Sequence, residues 1–396
     1  MIRPLKIVSI NQVVTTPILS SRFSREVAED HLPFFGGQSS LTVSDSRAPL
    51  LPAAGPTITL PGLRERWQLY DEQYRAQLRI SRFWVAELQN AVVYPPFGIV
   101  RVGDQIIRET IRNGSMLKTI FPDADPDEFT AALQSPDTPL LAAAPQAARR
   151  AAGATFLLGF GVFENYFNWT LRYASRVSLY QAMPGMDHLL APAPKKAYVA
   201  DTLEFMGVRQ EAVIHLDAPV ECEQLTIVSP VALGRYEISP LICHTLREHP
   251  RVTNLWRGRR RRLYIPRHNV KMRVVVNEQA LEAVLKRMGF EVFDNSKHSV
   301  LEQVRAFRDA DIVVAPHGAG LSNIVYCDSG TSVLEIVPEG YDQGVTSYRS
   351  LADLFELRYM QLFAREVAPD RKGNPCNANI EVDISELTQT IRDLIA

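Results

Sequence analysis

The segment Asp311-Ile312-Val313-Val314-Ala315-Pro316-His317-Gly318-Ala319-Gly320-Leu321-Ser322-Asn323 joins an apolar strand, a turn of small residues and the start of a helix. Ligands of open α/β sheets sit at such strand ends, outside the carboxyl edge of the sheet. Gly318 and Gly320 allow the backbone to approach a ligand, and a helix N-terminus presents N–H groups and partial positive charge, which suits a phosphate. Ala319, Leu321 and Asn323 complete the candidate cradle, and His317 at its tip can hydrogen-bond or protonate a phosphate oxygen. A plain strand-to-helix turn whose glycines only satisfy geometry has the same appearance. The segment differs from both GxGxxG and GxxxxGK[ST], so neither a dehydrogenase nor a P-loop enzyme is supported.

Arg267 follows the run Arg262-Leu263-Tyr264-Ile265-Pro266, just past a strand, where its guanidinium fork could clamp a diphosphate; Arg273 and Asn277-Glu278 follow at the next helix start. Glu335 lies late in the strand Val333-Leu334-Glu335-Ile336, a position where an acid binds ribose hydroxyls. Two DxD strings, Asp123-Ala124-Asp125 and Asp309-Ala310-Asp311, read as incidental, the first at a helix start and the second across a helix end and a strand start. No metal is expected. The four cysteines, at 222, 243, 327 and 376, form no CxxC pair and no metal-ligand spacing.

These residues need a frame to hold them. From Phe83 to Ile111 short alternating runs broken by Pro95-Pro96 and Gly103-Asp104 read as a small antiparallel meander. Beyond Arg150, strand-like runs at Ala154–Leu158, Lys196–Ala200, Ala212–Leu216 and Leu225–Val228 alternate with helical stretches at Tyr166–Gln181, Thr202–Gly207 and Ser239–His249. The rhythm restarts after Arg257-Gly258-Arg259-Arg260-Arg261-Arg262, with strands at Leu263–Ile265, Phe290–Phe293, Ile312–Ala315 and Ser332–Ile336, and helices at Glu278–Met288, Ser299–Ala310 and from Gly320. A last helix, Ser385–Ile395, takes Asp383 or Ser385 as its N-cap. That alternation predicts an α/β protein: a β-rich accessory segment over residues 1–120, an α/β half over 121–254 and a second over 255–396.

Composition agrees with a folded protein. The 396 residues carry 43 Lys+Arg and 44 Asp+Glu, a formal net charge of −1, which argues against nucleic-acid binding over the whole surface. Apolar runs are too short to span a bilayer and the N-terminus lacks a secretory apolar core, so a cytoplasmic protein is expected. The arginine run 257–262 reads as a solvated connector or as a peripheral contact with anionic membrane.

Taken in order, Tyr264-Ile265-Pro266-Arg267, Asn277-Glu278, Gly289-Phe290-Glu291, Glu302-Gln303, Ala310-Asp311, His317 to Asn323, Gly330-Thr331 and Leu334-Glu335-Ile336 resemble glycosyltransferase family 61 over about residues 155 to 340. The resemblance implies an inverting, metal-independent transferase of two Rossmann-like halves (the GT-B architecture), with a nucleotide-sugar donor, usually a UDP-sugar, and a polysaccharide, lipopolysaccharide or other glycan acceptor. Nothing beyond that donor is implied as a cofactor. Carried over by position, Arg267 and His317 contact the diphosphate, the Gly318 to Asn323 turn cradles it and Glu335 holds the nucleoside. In the acceptor half, relatives carry His-Trp and then an acid where this chain reads Asn168-Trp169 and Arg172, with Arg176 following. Asn168 cannot accept a proton, and Arg172 suggests an acidic acceptor or a different donor. Glu164, Asp187 and His188 are the candidates for the base. A catalytically inactive module that only binds a glycan or nucleotide is the alternative.

Overall fold

The computed structural model describes residues 6–8, 85–111, 114–122, 127–129, 131, 144–159, 161, 165–228, 240–268, 270–339, 345–368 and 377–395. It divides into two compact units, described residues 6–8, 85–228 and 241–249 forming the first and 240 and 250–395 the second.

In the first unit eight strands make one sheet in the order β1-β4-β3-β2-β8-β5-β6-β7. The meander β2 (Val85–Tyr94), β3 (Ile99–Val102) and β4 (Gln105–Ile107) is antiparallel, with β1 (Lys6–Val8) parallel to β4 at its edge. β5 (Arg149–Leu157), β6 (His188–Pro192) and β7 (Val213–Leu216) are parallel, and β8 (Val220–Val228) joins the two sets, antiparallel to β2 and parallel to β5. The meander expected as an accessory layer therefore belongs to the same sheet as the α/β alternation, which makes that sheet mixed and not Rossmann-like. β2 carries both patterns at once. Leu88, Ala91 and Val93 face a core shared with Leu157, Leu190 and Ile227, while Val92 and Tyr94 face a second core with Ile106, Leu117 and Phe129.

Lys196–Ala200, expected as a strand, instead opens the helix α1 (Ala197–Phe205), whose buried residues Val199, Thr202 and Leu203 repeat at helical spacing. The strand lies just upstream, in β6, between Pro184-Gly185 and Pro192. The expected helix over Tyr166–Gln181 is broken into helical pieces at Tyr166–Asn168 and Val177–Ala182 with a π turn at Trp169–Tyr173 and a 3-10 turn at Ala174–Arg176 between them. A helix α2 (Pro240–Arg247) follows β8.

The second unit is a six-stranded sheet in the order β10-β9-β11-β12-β13-β14. β9 (Arg261–Tyr264), β10 (Glu291–Val292), β11 (Ala310–Pro316), β12 (Ser332–Pro338) and β13 (Arg358–Ala368) are parallel, and β14 (Asn379–Glu381) is antiparallel at the edge. Counted from β9 this is the 2-1-3-4-5 order of doubly wound sheets, and it places the point where the strand order reverses between β9 and β11. Helices α3 (Glu278–Arg287), α4 (Val300–Arg308), α5 (Val345–Leu354) and α6 (Ile384–Ile395) complete the unit. One sheet face, with Tyr264, Val314, Leu334 and Leu362, packs on Leu281 and Leu285 of α3 and Leu387 and Ile391 of α6.

Local signals fix the ends of these helices. Asp383 accepts from Ser385 N at 2.8 Å and Glu386 N at 3.0 Å, so of the two expected caps it is the one used for α6. Ser299 and Glu302 form a capping box on α4. Because α4 aims Gln303 at the turn after β11, its start has to be fixed. Replacing Ser299 by alanine is expected to cost about 1 kcal/mol, measured as a lower denaturant midpoint with an unchanged slope.

Candidate anion-binding site at the strand-order reversal

β9 and β11 lie side by side with Tyr264 opposite Val314, so the residues that follow each strand emerge next to one another. Ile265 N donates to Val314 O at 2.9 Å and carries this pairing one residue past β9. Arg267 follows β9, and His317 with Gly318 follows β11. The structure thus brings together two candidates that are 50 positions apart in sequence, at the one place in this sheet where the topology opens a crevice.

Arg267 is fixed from behind. Its Nη2 donates to Met272 O at 3.0 Å and its Nε to Arg273 O at 3.2 Å, inside a loop where Arg273 has a left-handed backbone at φ 55°. Such strain in a non-glycine residue persists only where the surroundings enforce it. The guanidinium lies against Gly318, and a Cβ built on Gly318 collides with Arg267 Nη1. Gly318 itself is extended, at φ 173°, so glycine is required here for space and not for backbone conformation. Gly320 is also confined, since a Cβ there would meet Asn295 Nδ2 at 2.9 Å.

The helix expected from Gly320 is a 3-10 helix over Ala319–Tyr326. Ala319 and Gly320 are partly exposed, whereas Leu321 and Asn323 are buried. Asn323 Nδ2 donates to Gln303 Oε1 at 2.8 Å, and Gln303 Nε2 donates to Asn295 O and His298 O, both at 2.9 Å. Leu321 and Asn323 therefore hold the turn from inside, Gly318 is buried under the Arg267 guanidinium, and the surface offered to a ligand is the Ala319–Gly320 backbone beside it.

Behind the turn a row of polar side chains is buried in the sheet. Glu335 on β12 sits between Ala315 on β11 and Gln361 on β13, on the face opposite the Leu334 core, and is 0% exposed. Its Oε1 bonds His317 Nδ1, its Oε2 accepts from the Tyr359 hydroxyl, and Gln361 Nε2 donates to the same Oε2 at 3.5 Å and to Tyr359 Oη at 3.0 Å. The ribose-binding role expected for Glu335 does not fit this geometry, because the carboxylate faces His317 and Tyr359 and reaches no surface. Burial pushes the His317 imidazole below its ordinary value, with Glu335 opposing and Arg273 and Arg267 reinforcing the shift. Burial and the neighbouring carboxylate hold the Tyr359 phenol well above its own, so it stays protonated as a donor. Tyr348 on α5 covers the other side of the imidazole, ring to ring at 5.4 Å, and donates to Gly318 O at 2.7 Å.

Asn277 is committed elsewhere, since its side chain donates to Val382 O at 2.8 Å and accepts from Val382 N at 3.1 Å, pinning the start of α3 to the edge strand's exit. Next to it Tyr264 donates to Glu278, whose carboxyl burial raises. In the first unit Trp169 is fully buried, its indole N–H donating to Thr202 Oγ1 at 2.9 Å, so it supports the broken helix. Asn168 is half-buried, and Arg172 lies over the Phe167 ring at 5.9 Å. Arg176 is 3% exposed, and burial, opposed by Tyr173 and aided by Arg172, lowers its guanidinium to about 10. Its Nη1 donates to Leu158 O at 3.4 Å, at the carboxyl end of β5. Asp187 and His188 lie at the opposite, amino-terminal edge of β6, and Asp187 Oδ2 accepts from Ala154 N at 2.8 Å. Glu164 and the string Asp123-Ala124-Asp125 lie outside the described residues.

The second DxD string flanks a cavity of about 420 Å³ at the amino edge of the second sheet. There Asp309 accepts from Gly258 N at 2.7 Å and Asp311 pairs with Arg260 at 3.5 Å. Of the arginine run, Arg257 pairs with Asp328 at 2.8 Å, Arg261 with Glu291, and Arg262 donates to Met288 O at 3.0 Å. Arg257, Arg260 and Arg261 thus each meet an acid, and Arg259 is exposed, as is Trp256 at 92%. Among the described residues no helix is long and apolar enough to cross a membrane.

Tyr359, Gln361 and Tyr348 were not legible as site residues. β13 alternates Tyr359, Gln361 and Phe363 on one face with Met360, Leu362 and Ala364 in the core, and that polar-apolar alternation was the available signal.

A family model described as Glycosyltransferase 61 matches residues 84–334. The alpha-1,3-arabinosyltransferase XAT3 of Oryza sativa subsp. japonica is 28% identical over 133 residues, covering 32% of this chain and 22% of that protein. The chain thus spans about a fifth of the length of this relative.

Because Gly318 leaves room for the Arg267 guanidinium, Gly318→Ala should displace it while the fold survives. The expected outcome is a melting temperature within about 5 °C of the parent and at least about tenfold weaker binding of inorganic pyrophosphate. Calorimetric titration with pyrophosphate checks it.

Proposed function

Since the chain belongs to glycosyltransferase family 61, we propose that it transfers a sugar from a nucleotide donor, a UDP-sugar before others, to a hydroxyl of a glycan acceptor with inversion at the anomeric carbon. The observation that carries the donor assignment is the Arg267 guanidinium seated on Gly318 where the strand order reverses. In this reading Arg267 binds the diphosphate through charge-assisted bonds and the Ala319–Gly320 backbone lies along it. His317 stands at the leaving phosphate. The acceptor oxygen forms a bond to the anomeric carbon while the bond from that carbon to the phosphate oxygen breaks. The electron pair departs on the diphosphate, and the hydroxyl proton passes to a base on the far side of the sugar. Stabilising the charge that develops on the leaving group is the work of Arg267 and His317 and needs no metal.

Arg172, partly exposed over the Phe167 ring, supports an acidic group on the acceptor, a carboxylate or phosphate, whereas Arg176 is buried against Leu158 O and acts from within. Of the three candidate bases, Asp187 and His188 lie at the amino end of β6, away from Arg176 at the carboxyl end of β5, and Glu164 is kept on its sequence position alone. The name of the rice relative adds a pentose, arabinose, to the donor sugars worth testing. Polysaccharide and lipopolysaccharide are the acceptor classes in view, and contact with an anionic membrane would rest on Trp256 and Arg259.

Release of nucleoside diphosphate should require acceptor, and Arg267→Ala should lower kcat/KM by roughly 10²–10³ with the melting temperature kept. Turnover retained in that variant would reject the site. Donor binding without turnover under any acceptor would instead establish the inactive module.

A further inference from the structure

The polar row behind the turn has no role in holding the sheet together that apolar residues would not fill. A fully buried carboxylate costs several kcal/mol unless its partners compensate, and Glu335 draws partners from both sides, His317 just past β11 and Tyr359 and Gln361 on β13. All of these groups converge on a single imidazole, whose side chain is 10% exposed at the crevice. The groups facing that imidazole are Glu335 and, behind it, Tyr359 from the sheet, Tyr348 from α5, and Arg267 and Arg273 from the loop after β9. Arg349 of α5, paired with Asp353 at 3.6 Å, faces Tyr359 from the same side.

We propose that Glu335 and Tyr359 are positioning residues that make His317 a proton-coupled phosphate ligand, neutral in the free protein and protonated when a nucleoside diphosphate binds. The inference rests on the donor-site reading given above. With Nδ1–H directed at Glu335, a neutral imidazole presents a lone pair at Nε2, which repels a phosphate oxygen; the imidazolium presents N–H there and attracts it. In the free protein Arg267 and Arg273 oppose a third positive charge. A bound diphosphate neutralises them and adds negative charge of its own, so both obstacles to protonation disappear together. The proton comes from solvent on binding and leaves with product release. Glu335 fixes the tautomer and supplies the compensating charge, and the Tyr359 hydroxyl holds that carboxylate in line and tempers its pull on the imidazole.

By linkage a complex that takes up a proton binds more tightly as pH falls. Calorimetric titration of the full chain with UDP, and in parallel GDP and ADP, at pH 8.0 in buffers of different ionisation enthalpy measures the uptake directly. At that pH the nucleotides themselves are fully ionised. The expected result is net uptake of roughly half a proton or more per nucleotide bound, affinity rising as pH is lowered from 9 towards 7.5, and loss of the uptake in His317→Gln. Tyr359→Phe should still bind, with the pH profile of uptake displaced upward, because Glu335 then loses its hydroxyl donor and pulls harder on the imidazole. A structural role for Tyr359 would change the melting temperature and leave the profile in place. Binding without proton uptake, or uptake unchanged in His317→Gln, overturns this inference and leaves the donor site standing. Binding by none of the three nucleotides overturns the donor-site reading and this inference with it.

Discussion

Everything at the candidate site depends on two parallel strands that lie side by side and whose chains then part. From β9 the chain proceeds to β10 on one side, and from β11 to β12 on the other. Residues following the two strands are thus neighbours in space at the carboxyl edge, which is the usual setting of a ligand in a doubly wound sheet. Arg267 and Gly318 lie at this edge, and the Gly318 backbone can lie under the guanidinium only because no Cβ intervenes.

Both sheet faces must be covered, and the two faces of this sheet are covered differently. Leu281 and Leu285 of α3 and Leu387 of α6 seal one with aliphatic packing. The other carries Glu335, Tyr359 and Gln361 at 0%, 4% and 4% exposure, a polar strip where apolar residues would be more stabilising. Such a strip is tolerated where its groups hydrogen-bond one another, and here His317, Glu335, Tyr359 and Gln361 Nε2 form one connected network. The stability given up there is given up around one imidazole at the crevice, which is where a charge-handling device has a use.

Much of this was legible in the sequence because the signals were local. The strand into His317-Gly318-Ala319-Gly320, the Asp383 cap of α6 and the glycine after α3 each act through neighbours a few residues away. Failures came where a long-range pairing decided. Lys196–Ala200 alternates like a strand, but its Val199 answers to Thr202 and Leu203 on a helix, and the true strand was hidden in five residues between prolines. Glu335 looks like a ribose ligand in one dimension, and only the register against Gln361 shows that it is walled in. Asn277 likewise stands beside the site in sequence yet binds Val382, 105 residues away.

The most direct test of the account is the crystal structure of the full chain soaked with UDP. The account predicts the diphosphate against both the Arg267 guanidinium and the Ala319–Gly320 backbone, with His317 Nε2 within hydrogen-bond reach of a phosphate oxygen and its Nδ1 still on Glu335. A nucleotide seated elsewhere, with Arg267 turned away from the phosphates, would contradict it.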